Sequence, residues 1–199
     1  MSSREINLLF SIPVSSTISN NFFEENKKIL IENYSHNKDG NLISDNKFLL
    51  NQYPNLKNWI LDEVNLYARN AMACEDEVRV TQSWSIISNN NLHFHQHPNS
   101  VISGAYYVNA DENSSNLVFS KPYTNGQILW NTSESLYENQ DWLWDNIYFK
   151  PSTGKLILFP SYLNHGVISN QKESNRCVLS FNTWFVNPIG SIENLTFLD

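Results

Sequence analysis

Cysteine, methionine and glycine are scarce: the 199 residues include two cysteines, two methionines and six glycines. Cys74 and Cys177 are too few for a disulfide framework and stand in no Cys-x-x-Cys spacing, so a reducing cytoplasm is the expected compartment. Long apolar runs are missing too. The best, such as Leu156–Pro160, have strand length, against the ~20 residues that a membrane-spanning helix needs; no membrane association is expected. The opening MSSREINLLFSIPVSS lacks a basic stretch, a long apolar core and a small-residue cleavage signature. Secretion is therefore not expected, and the Asn-x-Ser/Thr matches at Asn113, Asn131 and Asn194 are read as chance. Cations are few: 13 Lys and Arg stand against 20 Asp and Glu, a formal net charge of −7, with no basic cluster. That removes the usual electrostatic means of holding a phosphate backbone, and nucleic acid is not an expected partner.

What is present suits one folded core. Hydrophobic residues make up 41% and charged residues 17%, and surface scaling has a chain of this size bury about 70% of its surface. There are no internal repeats and no linker, so residues 1–199 are expected to form a single domain. Within it, 1–77 read as mainly helical, 78–186 as a β core and 187–199 as a tail. In the stretch from Pro54, Leu56, Ile60, Val64, Tyr67 and Ala71 recur at spacings of three and four, which predicts an amphipathic helix. A weaker helical pattern runs from about Asn21 to Tyr34, and the following NKDGNLISDNKF reads as loop with a short strand.

From Val78 the helical period stops. Short runs rich in Val, Ile, Tyr, Phe and Trp alternate with Asn, Ser, Gly and Pro clusters, which predicts strands at VRVTQSWSII, VISGAYYVNA, NLVFS, NIYFK, KLILFP, HGVIS and RCVLSFNTWFV. Many short strands indicate a sandwich, jelly roll or barrel, and the fold class is α+β, mainly β. Lys121–Asp145 has no clear period yet carries Tyr123, Trp130, Tyr137, Trp142 and Trp144. It reads either as a lid or as aromatics covering an outer face of the sheet.

Three of the five histidines, His93, His95 and His97, stand two apart in HFHQHPNS. In a strand all three would project from one side, where a His-x-His pair can place two nitrogens on one metal ion. Read alone, the cluster fits polar surface equally well. His165, just after the apolar strand KLILFP, offers a third ligand. Arg176 follows eleven positions later, a distance that allows a short hairpin returning it close to His165. An arginine carried into a barrel needs an anionic partner, since an unpaired buried guanidinium is costly. A carboxylate cosubstrate would supply it. Strand parity puts Val178, Ser180 and Asn182 on the side of Arg176, and Ser103, Ala105 and Tyr107 on one face of their strand.

The ordered motifs HQHPNSVISGAYYV, FPSYLNHGV and NRCVLSFNTWF, spread over Trp84 to Phe185, resemble a small group of 2-oxoglutarate/Fe(II) oxygenases found in bacteria and marine phages. The resemblance implies a double-stranded β-helix and a dioxygenase that uses Fe(II), 2-oxoglutarate and O2. It also implies that His95, His97 and His165 hold the metal, with His97 where most relatives carry an acidic ligand. Arg176 would bind the C5 carboxylate of 2-oxoglutarate, assisted by Tyr107, and Ser180 and Asn182 would line the pocket. His93 remains an alternative partner for His95. A small-molecule or a peptide or protein substrate fits, in the cytoplasm of a bacterium or of a phage's host. Rival readings of the same residues are a cupin-type three-His dioxygenase without 2-oxoglutarate, a three-His zinc hydrolase, and a non-catalytic jelly roll binding a metal or small acid.

Overall fold

The computed structural model describes residues 11–121, 145–190 and 193. The weak pattern after Asn21 forms helix α1 (Phe23–Leu30), which ends before the expected Tyr34 because Tyr34 opens a strand. The strong pattern forms α2 (Pro54–Met72), burying Leu56, Ile60, Val64, Tyr67 and Ala68. Pro54 stands at the first helical position, where its missing N–H costs nothing, and Ala73 closes the helix with a left-handed φ of 52°.

The described residues form eleven strands, numbered in chain order: β1 (Ser15–Ile18), β2 (Tyr34–His36), β3 (Leu42–Ser44), β4 (Val78–Ile87), β5 (Leu92–His95), β6 (Ile102–Asn109), β7 (Leu117–Ser120), β8 (Asn146–Phe149), β9 (Lys155–Pro160), β10 (His165–Val167) and β11 (Cys177–Phe185). They form a seven-stranded sheet, β1-β9-β6-β11-β4-β3-β2, and a four-stranded sheet, β5-β10-β7-β8. All named pairs are antiparallel, and the two sheets make a double-stranded β-helix.

The large sheet is covered on both faces. Tyr106, Leu156, Leu158, Leu179 and Phe181 join the helices' Ile29, Ile60 and Val64 in one apolar core. The alternate residues Ala105, Tyr107, Ile157, Phe159 and Val178 meet Leu117 and Phe119 of the small sheet in a second. The contact at Gly104 is close. A Cβ there would lie 2.1 Å from the Phe181 ring, its cross-strand partner, so the ring lies flush on the glycine.

One expectation gains detail and another needs correction. Among the described residues up to 77, the helices are joined by β1, β2 and β3, which extend the large sheet at its two ends. The hairpin from His165 to Arg176 does not form. β10 pairs with β5 and β7, whereas β11 pairs with β4 along nine residues and with β6 on its other side. A three-residue strand offers β11 a much shorter ladder than β4 does, so the polar stretch 168–175 crosses between sheets instead. The aromatic segment, read either as a lid or as cover for an outer face of the sheet, lies outside the described residues except at its ends, where Lys121 N–H donates to the Asp145 carbonyl at 2.8 Å.

Candidate metal centre

The small sheet sets the first two imidazoles side by side. His95 and His165 are direct cross-strand partners on β5 and β10, with ring centroids 4.5 Å apart. His97 follows two residues beyond His95 and is held by its backbone N–H, which donates to the Ser161 carbonyl at 2.9 Å. Its ring lies 5.0 Å from both other rings. One nitrogen from each of the three falls within 4.8 Å of the others, the spacing of ligands around a single ion.

Two of the rings are oriented alike. Nδ1 of His95 lies 2.8 Å from the His93 carbonyl, and Nδ1 of His165 lies 2.9 Å from the Leu163 carbonyl. A carbonyl only accepts, so each Nδ1 carries the proton and each Nε2 keeps a free lone pair. Such an outer hydrogen bond is the usual device for fixing a ligating imidazole. Burial, with His95 adding to it, holds His97 down to about 4. Burial likewise holds His165 down to about 3, against the opposing effect of the hydrogen bond that its Nδ1 donates to the Leu163 carbonyl. Both rings are therefore neutral, the form that binds a metal.

Across the cavity, Arg176 reaches in from just ahead of β11. It is 3% exposed, and its charged group makes one long hydrogen bond, from Nη1 to the Ser88 carbonyl at 3.3 Å. Its Nε is buried without a partner. Among the described residues no carboxylate pairs with it, the single ion pair being Lys27 with Glu24 at the surface. The guanidinium carbon sits 5.5 Å from the Tyr107 ring centroid, and among the described residues the buried Tyr107 hydroxyl makes no well-formed hydrogen bond, Arg176 being its polar neighbour. Burial pushes the Tyr107 phenol up while the Arg176 charge opposes it. Arg176 and the three histidines line one cavity, and none of its lining residues among those described is acidic.

These residues fit the groups expected there. Three neutral imidazoles suit a divalent transition ion. A buried guanidinium with an unpaired Nε beside an unpaired phenol suits a carboxylate.

The remaining expected residues divide between the cavity and its surroundings. His93 is exposed and contributes its carbonyl, with its ring 5.4 Å from that of His95 and outside the three-nitrogen group. Ser180 lines the cavity. Asn182 does not, and instead accepts from Ser103 Oγ at 3.0 Å. Sequence reasoning passed over Trp84, which lines the cavity 6.0 Å from the His97 ring; parity along β4 could have found it, two positions from the inward-facing Ile86. It placed Ser103 on the face of Tyr107 but passed over the hydroxyls that Ser103 meets behind His97, where Ser161 Oγ is 2.7 Å from both Ser100 Oγ and Ser103 Oγ. No local motif marks them, because serines distant in the chain meet only in the fold.

Residues 82–182 match the family model described as "Putative 2OG-Fe(II) oxygenase". No curated protein matches the chain significantly. Solved structures share the fold at low identity. A 2OG-Fe(II) oxygenase family oxidoreductase from Burkholderia pseudomallei is 10% identical with a TM-score of 0.58, covering 85% of this chain and 83% of that one. HygX from Streptomyces hygroscopicus, with nickel and 2-oxoglutarate bound, is 9% identical with a TM-score of 0.55, covering 86% and 82%. A prolyl-4-hydroxylase from Pseudomonas putida is 13% identical with a TM-score of 0.52, covering 89% and 94%. With a family match over half its length and this fold around the histidines, the chain belongs to the 2OG-Fe(II) oxygenases, enzymes that use Fe(II), 2-oxoglutarate and O2.

Proposed function

We propose that this oxygenase binds Fe(II) through His95, His97 and His165, takes the C5 carboxylate of 2-oxoglutarate on Arg176 with Tyr107, and hydroxylates a small molecule or a group of a peptide or protein. The observation that carries the reading is Arg176, a buried cation without an anion, sharing a cavity with three converged imidazoles. Iron with 2-oxoglutarate and O2 supplies the oxidising power for an unreactive C–H bond. The protein's part is placement. The Leu163 and His93 carbonyls hold two imidazoles with Nε2 free, and burial keeps His97 and His165 unprotonated. Ile86, Leu92, Leu117, Val167 and Val178 give the cavity apolar walls that limit water, so the guanidinium meets a carboxylate at low dielectric. Ser180 adds a hydroxyl to the same cavity.

Arg176 separates this reading from its rivals. A cupin-type dioxygenase or a zinc hydrolase needs three histidines but no dicarboxylate clamp. The test is anaerobic calorimetry of 2-oxoglutarate with Fe(II)-loaded protein. Binding should be strong with the parent, weakened in Arg176→Lys by about 1.5–3 kcal/mol, the worth of a hydrogen bond to a charged group, and weaker again in Arg176→Ala, with metal content unchanged. Equal affinity in Arg176→Ala and the parent would place the clamp elsewhere and favour the rivals.

A further inference from the structure

The cavity has a region that neither the metal ligands nor the guanidinium occupies. From Arg176, just ahead of β11, the inner face of the strand continues with Val178 and Ser180, whose partners on β4 are Ile86 and Trp84. Four residues of strand separate Arg176 from Ser180, about 13 Å at 3.3 Å per residue. Trp84 thus stands at the opposite end of the cavity from the carboxylate clamp and next to His97, their ring centroids 6.0 Å apart. It is only partly buried and belongs to neither apolar core, unlike the inward Val178 and Phe159. A large flat side chain that lines a cavity without joining the core is available to a ligand.

Resting on the oxygenase reading, we infer that Trp84 is the platform for the substrate to be oxidised, and that the group it receives is an uncharged saturated ring. Two features select that class. An indole face is negative and attracts either a cation or the polarised C–H edge of an aliphatic ring. Charge decides between them. Among the described residues no acidic side chain lines the cavity, and all three candidate ligands are imidazoles. A divalent ion, the guanidinium and a dicarboxylate therefore leave one net positive charge, which repels a second cation. A neutral ring carries no such penalty, and its aliphatic C–H bonds are the kind this chemistry oxidises. Ser180, directly across from Trp84, offers a hydroxyl to a polar substituent of the ring.

The test uses Zn(II)-loaded protein with 2-oxoglutarate, which is diamagnetic and inert to O2, and saturation-transfer NMR with two rings of similar size. Cyclohexanol should receive saturation in the parent, and piperidine, an ammonium at neutral pH, at least fivefold less. In Trp84→Ala the cyclohexanol signal should fall at least fivefold and in Trp84→Phe less, while Zn(II) and 2-oxoglutarate affinities stay within twofold of the parent. Methyl β-glucoside and N-acetylprolinamide then distinguish a sugar from a peptide source of the ring. The inference is overturned if cyclohexanol gives no signal in the parent, if piperidine equals it, or if Trp84→Ala leaves it unchanged. Failure of the loaded parent to bind 2-oxoglutarate is a different outcome and sinks the oxygenase reading instead.

Discussion

Replacing Arg176 with methionine should raise the stability of the ligand-free protein while abolishing its response to 2-oxoglutarate. Those opposite signs follow from how little holds the guanidinium. It is 3% exposed, has an unpaired Nε, and makes one hydrogen bond of 3.3 Å to an uncharged carbonyl. Desolvating a cation on those terms is a cost that a similar apolar side chain avoids; replacing buried ion pairs, whose charges are better compensated, with apolar residues stabilises by up to about 1–4 kcal/mol. The Ser88 bond offsets part of this, leaving about 1–2 kcal/mol, or roughly 2–8 °C in Tm for a domain of this size. The parent recovers the cost on binding, since a ligand at a hundred times its Kd contributes about 2.7 kcal/mol. Thermal melts of metal-loaded parent and Arg176→Met, with and without 2-oxoglutarate, measure both effects. A lower Tm for unliganded Arg176→Met would refute the reasoning, because it would mean that the protein alone satisfies the guanidinium.

Further outcomes follow from the geometry. His165→Ala and His97→Ala should each lose metal by elemental analysis while His93→Ala retains it, since only the first two remove one of the three converged nitrogens; loss in His93→Ala with retention in His97→Ala would move the pair to His93 and His95. The metal-free protein should lose stability as pH falls from about 6.5 towards 4. Burial holds His97 at about 4 and His165 at about 3 in the fold, so in that window the unfolded chain takes up protons that the folded one refuses. The slope is at most about 1.4 kcal/mol per pH unit for each histidine, less for the partly exposed His97, and a flat melting temperature between pH 7.5 and 5 would contradict it. Gly104→Ala should destabilise by about 1–3 kcal/mol, because the new methyl would meet the Phe181 ring at 2.1 Å; urea unfolding checks this.

Much of the fold is readable in the sequence where one period dominates. β4 occupies the very residues of VRVTQSWSII, and the 54–72 helix follows its apolar spacing. Boundaries fail where periods conflict: Tyr34 completes a helical pattern yet enters β2, since its hydroxyl bonds Ser85 Oγ at 2.7 Å on the large sheet. VISGAYYVNA and KLILFP show no alternation because helices cover one face and the small sheet the other. The proximity of His95 and His97 is local and legible. Their meeting with Arg176 across two sheets is not, and the hairpin once needed to explain it was the wrong route to a correct juxtaposition. Trp84 escaped notice because its significance lies in belonging to no core, a property that exists only after folding.

The central claim is that the three histidines and Arg176 make one 2-oxoglutarate-consuming centre. Its most direct test is to admit air to the anaerobic complex of protein, Fe(II) and 2-oxoglutarate and to quantify succinate. The account predicts succinate formation that requires iron, disappears in His165→Ala, and falls in Arg176→Ala although that variant keeps its metal. Succinate production that persists in His165→Ala, or none from the fully loaded parent, would contradict it.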